Sequence, residues 1–122
     1  MNAVGLAACE AAYLYGDEWL EAVRQYIQEN IQFTKNYLKQ NITQIKMIEP
    51  EATYLVWLDC RGLGLCNRDL KDLIINRAGL WLDSGAIFGK AGSGFQRINV
   101  ACPRATLETA LGKLAEAVKS LA

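Results

Sequence analysis

Apolar residues recur at helical spacing along the first third of the chain. An alanine-rich run over 3–15 predicts a short helix that Gly16 ends. Asp17 can cap a second helix over about 18–40, which would be about 34 Å long at 1.5 Å per residue. That length exceeds what a small domain needs along one side, so the pattern indicates a strut between two domains.

After residue 41 the hydrophobic period shortens, which indicates strands. Residues 45–48 predict one strand, and 53–60 ("TYLVWLDC") are apolar on both faces, which is typical of a central strand covered on both sides. Two shorter strands are predicted at about 80–83 and 96–101. The segment therefore predicts a small, mostly antiparallel sheet of three or four strands.

Two further helices complete the predicted elements. Asn67 can cap a helix over about 68–78, and Gly79 stands where a C-terminal glycine is favoured. Pro103 suits an early helical position, and the helix after it, about 105–121, carries one apolar stripe at 4-3-4-3 spacing.

The predicted fold is α+β, with helices packed on the small sheet and a long N-terminal helix of interdomain type. We divide the chain into N-terminal helices, 1–41, and a small α+β domain, 42–122.

Composition narrows the possible partners. The 122 residues carry no net charge, so nothing favours binding to nucleic acid or to a membrane surface. No apolar run reaches the roughly 18 residues of a spanning helix, and the N-terminus lacks a basic segment, so we expect a cytoplasmic protein. With no histidine and four cysteines at irregular spacing, we expect no metal site.

The stretch "FGKAGSGFQRINVACPR", 88–104, concentrates glycine beside basic residues. It is not a phosphate-binding loop, because only three residues separate Gly85 from Gly89-Lys90 and Ala91 replaces the required hydroxyl. It is not a dinucleotide fingerprint either, because a strand rather than a helix follows the glycines. The pattern favours a hairpin whose glycines supply positive φ.

The strand after the glycines places an arginine on one face. Ile98 and Val100 alternate with Arg97 and Asn99, so helices covering the first pair leave the second pair facing outward. The planar guanidinium suits a carboxylate held by two hydrogen bonds. A solvated surface arginine fits the pattern as well, and the residues alone leave both readings open.

The segments "ATYLVWLDCRGLGL" and "AGLWLDSGAIFGKAGSGFQRINVACPR" resemble the C-terminal domain of fold-type-I pyridoxal-phosphate enzymes, the class I/II aminotransferases. The N-terminal stretch "AACEAAYLYGDEWLEAVRQYIQENIQF" is similar to the cystathionine β-lyase branch, also called cysteine-S-conjugate β-lyases. The resemblance extends over nearly the whole chain, and the glycine-rich run is its most specific part.

This resemblance implies that Arg97 binds the α-carboxylate of an amino-acid substrate such as cystathionine or a cysteine conjugate. It implies that Tyr54 and Trp57 belong to the central strand, and that 42–122 is the substrate-carboxylate domain of a homodimeric enzyme using pyridoxal 5'-phosphate. The implied framework around Arg97 consists of Phe88, Gly89, Gly92, Gly94, Phe95, Asn99 and Pro103.

The family's cofactor-binding lysine has no counterpart among these residues. Lys35, in "QFTK", has Gln32 where a serine is expected and falls within the long helix, and Lys90 lacks the flanking pattern. We therefore expect a part of such an enzyme, without the domain that holds the cofactor covalently and inactive by itself. The alternative is a stand-alone domain that binds a carboxylate ligand or a protein without catalysis.

Overall fold

The computed structural model describes residues 2–121, and it begins with two consecutive helices. The first, α1, spans Ala3–Tyr15, and the second, α2, spans Asp17–Asn41. The Asn2 side chain caps α1 by accepting a hydrogen bond from the Gly5 N–H at 2.7 Å. Gly16 is the only residue between the helices, so both predicted helices are confirmed. The predicted cap is wrong, because Gly16 is the N-cap of α2 and Asp17 is its first helical residue.

A four-stranded antiparallel sheet follows, as the hydrophobic pattern predicted. Its strands are β1 (Lys46–Ile48), β2 (Leu55–Asp59), β3 (Asp83–Ser84) and β4 (Phe95–Asn99). They are ordered β1-β2-β4-β3, so β2 and β4 lie inside the sheet and the two-residue β3 forms one edge.

The helix between β2 and β3 differs from the prediction at its first residue. Helix α3 begins at Asn67, with Cys66 rather than Asn67 in the capping position, and it continues beyond Asp72 as a π-helical turn, Leu73–Arg77. The Asn67 side chain instead accepts a hydrogen bond from the Gly94 N–H at 2.9 Å and exchanges hydrogen bonds with Ser93. The Asn67 side chain, which the sequence pattern predicted to cap the helix, therefore binds the glycine-rich loop instead.

The last helix, α4, spans Arg104–Lys119 and lies against the sheet. Its predicted apolar stripe is confirmed within the helix, because Leu107, Leu111 and Leu114 are all at most 1% exposed, but Leu121 lies beyond the helix and is 39% exposed. They join a core that also contains buried residues of β2, β4 and α3. Burial of such side chains is the main stabilising term of a domain of this size.

Helix α2 has two different halves. Its buried residues all lie from position 30 onward: Asn30, Ile31, Thr34 and Leu38. No residue of α1 or of the first half of α2 is fully buried. The second half of α2 therefore supplies its buried core residues, whereas in the first half Ile27 packs against the core and is only partly buried.

Strand β2 is covered on one face rather than two. Val56 and Leu58 are completely buried, whereas Leu55, Trp57 and Asp59 alternate with them and remain half-buried. The expectation of cover on both sides is thus not met within this chain. We call the face that carries Trp57 the outward face of the sheet.

Candidate carboxylate site

The outward face carries one row of residues that crosses all four strands. Ile48 of β1 pairs with Trp57 of β2, Trp57 pairs with Arg97 of β4, and Arg97 pairs with Asp83 of β3. Residues paired across antiparallel strands project from the same face, so their side chains are neighbours. The row brings Arg97 together with an aromatic residue on one side and a carboxylate on the other.

Arg97 is ion-paired with Asp83. Its Nη2 donates to Asp83 Oδ2 at 2.7 Å, and its Nε donates to the same oxygen at 3.2 Å. The arginine side chain is 26% exposed and the aspartate 47%, so the pair lies at the margin of solvent. Two of the five guanidinium hydrogens are used in this way, and the Nη1 hydrogens and the second Nη2 hydrogen point elsewhere.

Two aromatic rings border the guanidinium. Arg97 Cζ lies 4.8 Å from the centre of the Phe88 ring and 6.0 Å from that of Trp57. The two rings meet edge to face, with their centroids 5.5 Å apart. Both distances fall within the range of cation–π attraction, which limits the movement of the arginine head group.

A cavity of about 350 Å³ is lined in part by Arg97, and Asp83 is not among the residues that line it. Residues 48–53, together with Leu55, Trp57 and Arg97, line it. Thr53 in this loop has a φ of +68°, which is unusual for a β-branched residue and costs energy in isolation. The Thr53 hydroxyl accepts a hydrogen bond from the Leu55 N–H at 3.2 Å, which helps to hold this conformation.

The predicted glycines shape the connection from β3 to β4. Gly89 and Gly94 have φ values of +118° and +80°, as expected of glycines in a hairpin connection. Gly92 has a different role, because a Cβ on it would lie 2.0 Å from the Gly85 carbonyl oxygen. The backbones of residues 85 and 92 therefore pack directly against each other. Gly85 begins the first of two 3₁₀ turns, Gly85–Phe88, and Gly92 ends the second, Lys90–Gly92.

The remaining predicted framework residues lie away from the guanidinium contacts. Phe95 packs beneath Arg61, Asn99 is exposed and accepts the Ala101 N–H at 2.8 Å, and Pro103 precedes α4. Tyr54, just before β2, is 43% exposed. The structure thus brings Phe88, Trp57 and Arg97 together, and it places the others in the turns and strand ends that support them.

A second arginine–carboxylate pair lies on the outward face. Arg61 donates to Asp59 through Nε at 2.9 Å and Nη2 at 2.8 Å, one bond to each carboxylate oxygen. The hydrogen bond from Arg61 holds the pKa of Asp59 below its ordinary value. We call this ion pair closed, because Arg61 binds both oxygens of Asp59. In the other pair Arg97 binds only Oδ2 of Asp83 and leaves Oδ1 unused.

The lysines do not form a cofactor site beside Arg97. Lys35 is ion-paired with Glu49, and Lys90 is exposed on the 3₁₀ turn. No lysine of the described residues lines the cavity next to Arg97. None of these lysines is therefore placed to hold pyridoxal phosphate covalently beside Arg97.

Residues 2–121 offer neither a membrane span nor a metal-binding cluster. They contain no helix long and apolar enough to cross a membrane. They also contain no group of three or more cysteine, aspartate and glutamate side chains arranged to hold a metal ion.

Comparison with known proteins gives close matches over nearly the whole chain. It is 34% identical over 118 residues to cystathionine β-lyase PatB of Bacillus subtilis, covering 97% of this chain and 30% of that protein. It is 31% identical over 120 residues to protein MalY of Escherichia coli, covering 98% and 31%. Cystalysin from Treponema denticola, whose crystal structure contains pyridoxal 5'-phosphate, matches with a TM-score of 0.95 at 34% identity, covering 99% and 31%. No protein-family model matches the chain.

The fold and these matches identify the chain as homologous to the C-terminal domain of class I/II pyridoxal-phosphate enzymes. Within that class its relatives are of the cystathionine β-lyase type. The chain spans about 30% of the length of the curated relatives it matches. The resemblance stated from the sequence is therefore confirmed, and so is the fold.

Sequence reasoning missed Asp83 as the partner of Arg97. The signal was present as an acidic residue in the strand before the glycines and a basic one in the strand after them. To pair these two residues from the sequence, one must know the register of β3 against β4. That register depends on how many residues the two 3₁₀ turns contain.

Proposed function

We propose that this chain is the substrate-carboxylate domain of a pyridoxal-phosphate-dependent enzyme, a C–S β-lyase or an aminotransferase. Arg97 binds the α-carboxylate of an amino-acid substrate such as cystathionine or a cysteine conjugate. The observation that carries the proposal is the guanidinium on the outward face, bordered by Phe88 and Trp57 and open toward a cavity. A charged, planar donor held by rings is suited to a carboxylate.

In the proposed enzyme the cofactor and Arg97 have different roles. Pyridoxal phosphate, when bound in such an enzyme, supplies the electron sink for breaking bonds at the substrate Cα. Arg97 would fix the position of the substrate relative to that sink, which is a positioning contribution. We propose that the residues holding the cofactor lie outside these 122 residues, and that the chain alone is inactive.

Exposed apolar side chains support a partner domain on the N-terminal side. Large apolar residues of α1 and of the start of α2 are 49–84% exposed: Val4, Leu6, Tyr13, Leu14, Tyr15, Trp19 and Leu20. So many exposed large apolar side chains on neighbouring turns of chain are typical of a region that another protein surface covers. We propose the cofactor-binding domain as that partner, within a homodimeric enzyme in which 1–41 links it to 42–122.

A carboxylate titration tests the role of Arg97. We would follow arginine side-chain N–H resonances of the purified chain by NMR while adding sodium acetate, with sodium chloride keeping the ionic strength constant. We expect a saturable shift of the Arg97 side-chain signal that persists in Arg61→Ala. Arg61→Ala is the matched control, because Arg61 lies on the same face in a closed ion pair. A shift that is absent, or that follows Arg61, would contradict the proposal.

A labelling experiment tests the absence of a cofactor lysine. The chain is incubated with pyridoxal phosphate, reduced with borohydride, and analysed by intact and peptide mass. We expect no adduct, or partial labelling scattered over exposed lysines. One stoichiometric adduct at one lysine would show that the chain holds the cofactor itself.

The stand-alone alternative makes a different prediction for association. A domain that functions alone should remain monomeric, whereas one that lacks a partner should self-associate through α1 and the first half of α2. Sedimentation velocity of the chain and of Trp19→Glu, an exposed position on α2, separates the two. A concentration-independent monomer would favour the stand-alone domain.

A further inference from the structure

We propose that Asp83 is the positioning residue of the carboxylate site: it holds Arg97 so that the free edge of the guanidinium faces the cavity. The inference rests on the proposed function and adds to it a residue that nothing in the sequence pattern assigned. It depends on three observations: which nitrogens Asp83 occupies, where the cavity lies, and how the glycines place Asp83.

The occupied nitrogens define the free edge. Asp83 accepts from Nε and Nη2, which form the lateral edge of the guanidinium. The end formed by Nη1 and Nη2 keeps two parallel N–H groups, and that is the arrangement a carboxylate accepts with both oxygens. Asp83 thus leaves available the edge that binds a second carboxylate end-on.

The sheet topology points this free edge toward the cavity. Asp83 lies on β3, on one side of β4, whereas Trp57 and Leu55, which line the cavity, lie on β2 on the other side. A guanidinium drawn toward β3 through Nε therefore presents its remaining donors on the β2 side. Without Asp83 the arginine has several rotamers open to it, and ordering one of them costs binding free energy.

The glycine-rich loop fixes where Asp83 stands. Gly85 and Gly92 lie in direct backbone contact, since a Cβ on Gly85 would be 2.2 Å from the Gly92 carbonyl oxygen. This contact holds the start of the loop against its end, so Asp83, two residues before it, is opposite Arg97 in the register. The same loop carries Phe88, whose ring lies 4.8 Å from the guanidinium carbon. The β3 strand and the loop after it therefore supply two of the three side chains that contact the guanidinium, and Trp57 of β2 is the third.

The test uses the acetate titration together with the order of the Arg97 Nε–H. In the wild-type chain we expect a resolved, slowly exchanging Nε–H signal and saturable acetate binding. Asp83→Ala should lose the Nε–H signal and weaken acetate binding, followed in both chains by the backbone amide of Arg97, by about tenfold, since it removes a charge-assisted contact that orders the site. Asp83→Asn, which keeps an oxygen acceptor for Nε and Nη2, should recover the signal and part of the affinity.

Asp59→Ala is the matched control, because it removes a carboxylate of the same face that contacts Arg61 and not Arg97. If Asp83 only stabilised the fold, Asp83→Ala and Asp59→Ala would bind acetate equally well at equal loss of unfolding free energy. Acetate binding in Asp83→Ala as tight as in the wild type would overturn the inference and leave the proposed function standing. Absence of acetate binding at Arg97 in the wild type would overturn both.

Discussion

Asn30 fastens the long helix to the end of the Arg97 strand, and its replacement should be among the costliest polar substitutions in the chain. The residue is completely buried. Its Nδ2 donates to the carbonyl oxygens of Val100 and Cys102 at 2.8 and 2.9 Å, and its Oδ1 accepts from Arg104 Nε at 2.8 Å. The side chain therefore links α2 to the segment that joins β4 and α4.

The expected cost of Asn30→Ala follows from these three bonds. Two neutral hydrogen bonds contribute about 1 kcal/mol each and the bond from the guanidinium about 1.5 kcal/mol or more, so the variant should lose about 3–4 kcal/mol. Truncation also leaves two carbonyl oxygens without their donor, which keeps the cost from being recovered by relaxation. For a chain of this size, such a loss lowers Tm by about 10–15 °C.

The assay is urea unfolding followed by circular dichroism, with thermal melting as a second measure. Asn41→Ala is the control, because Asn41 lies on the same helix and makes one exposed hydrogen bond to the Tyr37 carbonyl. We expect that control to cost less than about 0.5 kcal/mol. If Asn30→Ala were as mild as Asn41→Ala, the buried bonds would not stabilise the fold as reasoned.

Three further substitutions or conditions test other parts of the structure. Gly92→Ala should lower the unfolding free energy by more than about 2 kcal/mol, because its Cβ would overlap the Gly85 carbonyl, and urea unfolding measures the loss. The Cys60 thiol, whose pKa burial raises to about 12, should resist Ellman's reagent at pH 8 in the folded chain while exposed thiols react, and fast labelling would contradict its burial. Asp59→Asn should destabilise the chain at neutral pH, since the Arg61 hydrogen bond lowers the pKa of Asp59. The difference from wild type should shrink as pH falls through that lowered pKa, below the ordinary value of 3.8, and a difference that persists at low pH would refute the ion-pair explanation.

The helical and strand-like spacing of apolar residues predicted the helices and strands well, because each pattern depends on residues close in sequence. Helix α2 was expected over 18–40 and occupies Asp17–Asn41, and the capping glycine Gly79 has the expected left-handed φ of +64°. The π-helical turn Leu73–Arg77 could not be predicted, because its apolar residues satisfy an α-helical pattern equally well. Local sequence therefore determined the type of each element better than its fine geometry.

The face on which Arg97 lies could be predicted from the sequence, whereas the residues that contact it could not. Alternation along 95–101 placed Arg97 on the outward face, and the structure agrees with that placement. The contacts of Arg97 with Asp83 and Phe88 join residues 14 and 9 positions away, through a loop whose path is set by backbone contact rather than by side-chain pattern. Binding of a substrate carboxylate by Arg97 stays a prediction until acetate is titrated.

The uneven burial of α2 implies that amides in its two halves should exchange with solvent through openings of different free energy. Amides after Asn30 belong to the core and should exchange only when the whole domain unfolds. Amides of the preceding turns rest on few buried contacts and should exchange through local fraying, at a lower free energy. A covering domain would slow exchange in those first turns alone, so the protection profile of this single helix would report the arrival of a partner.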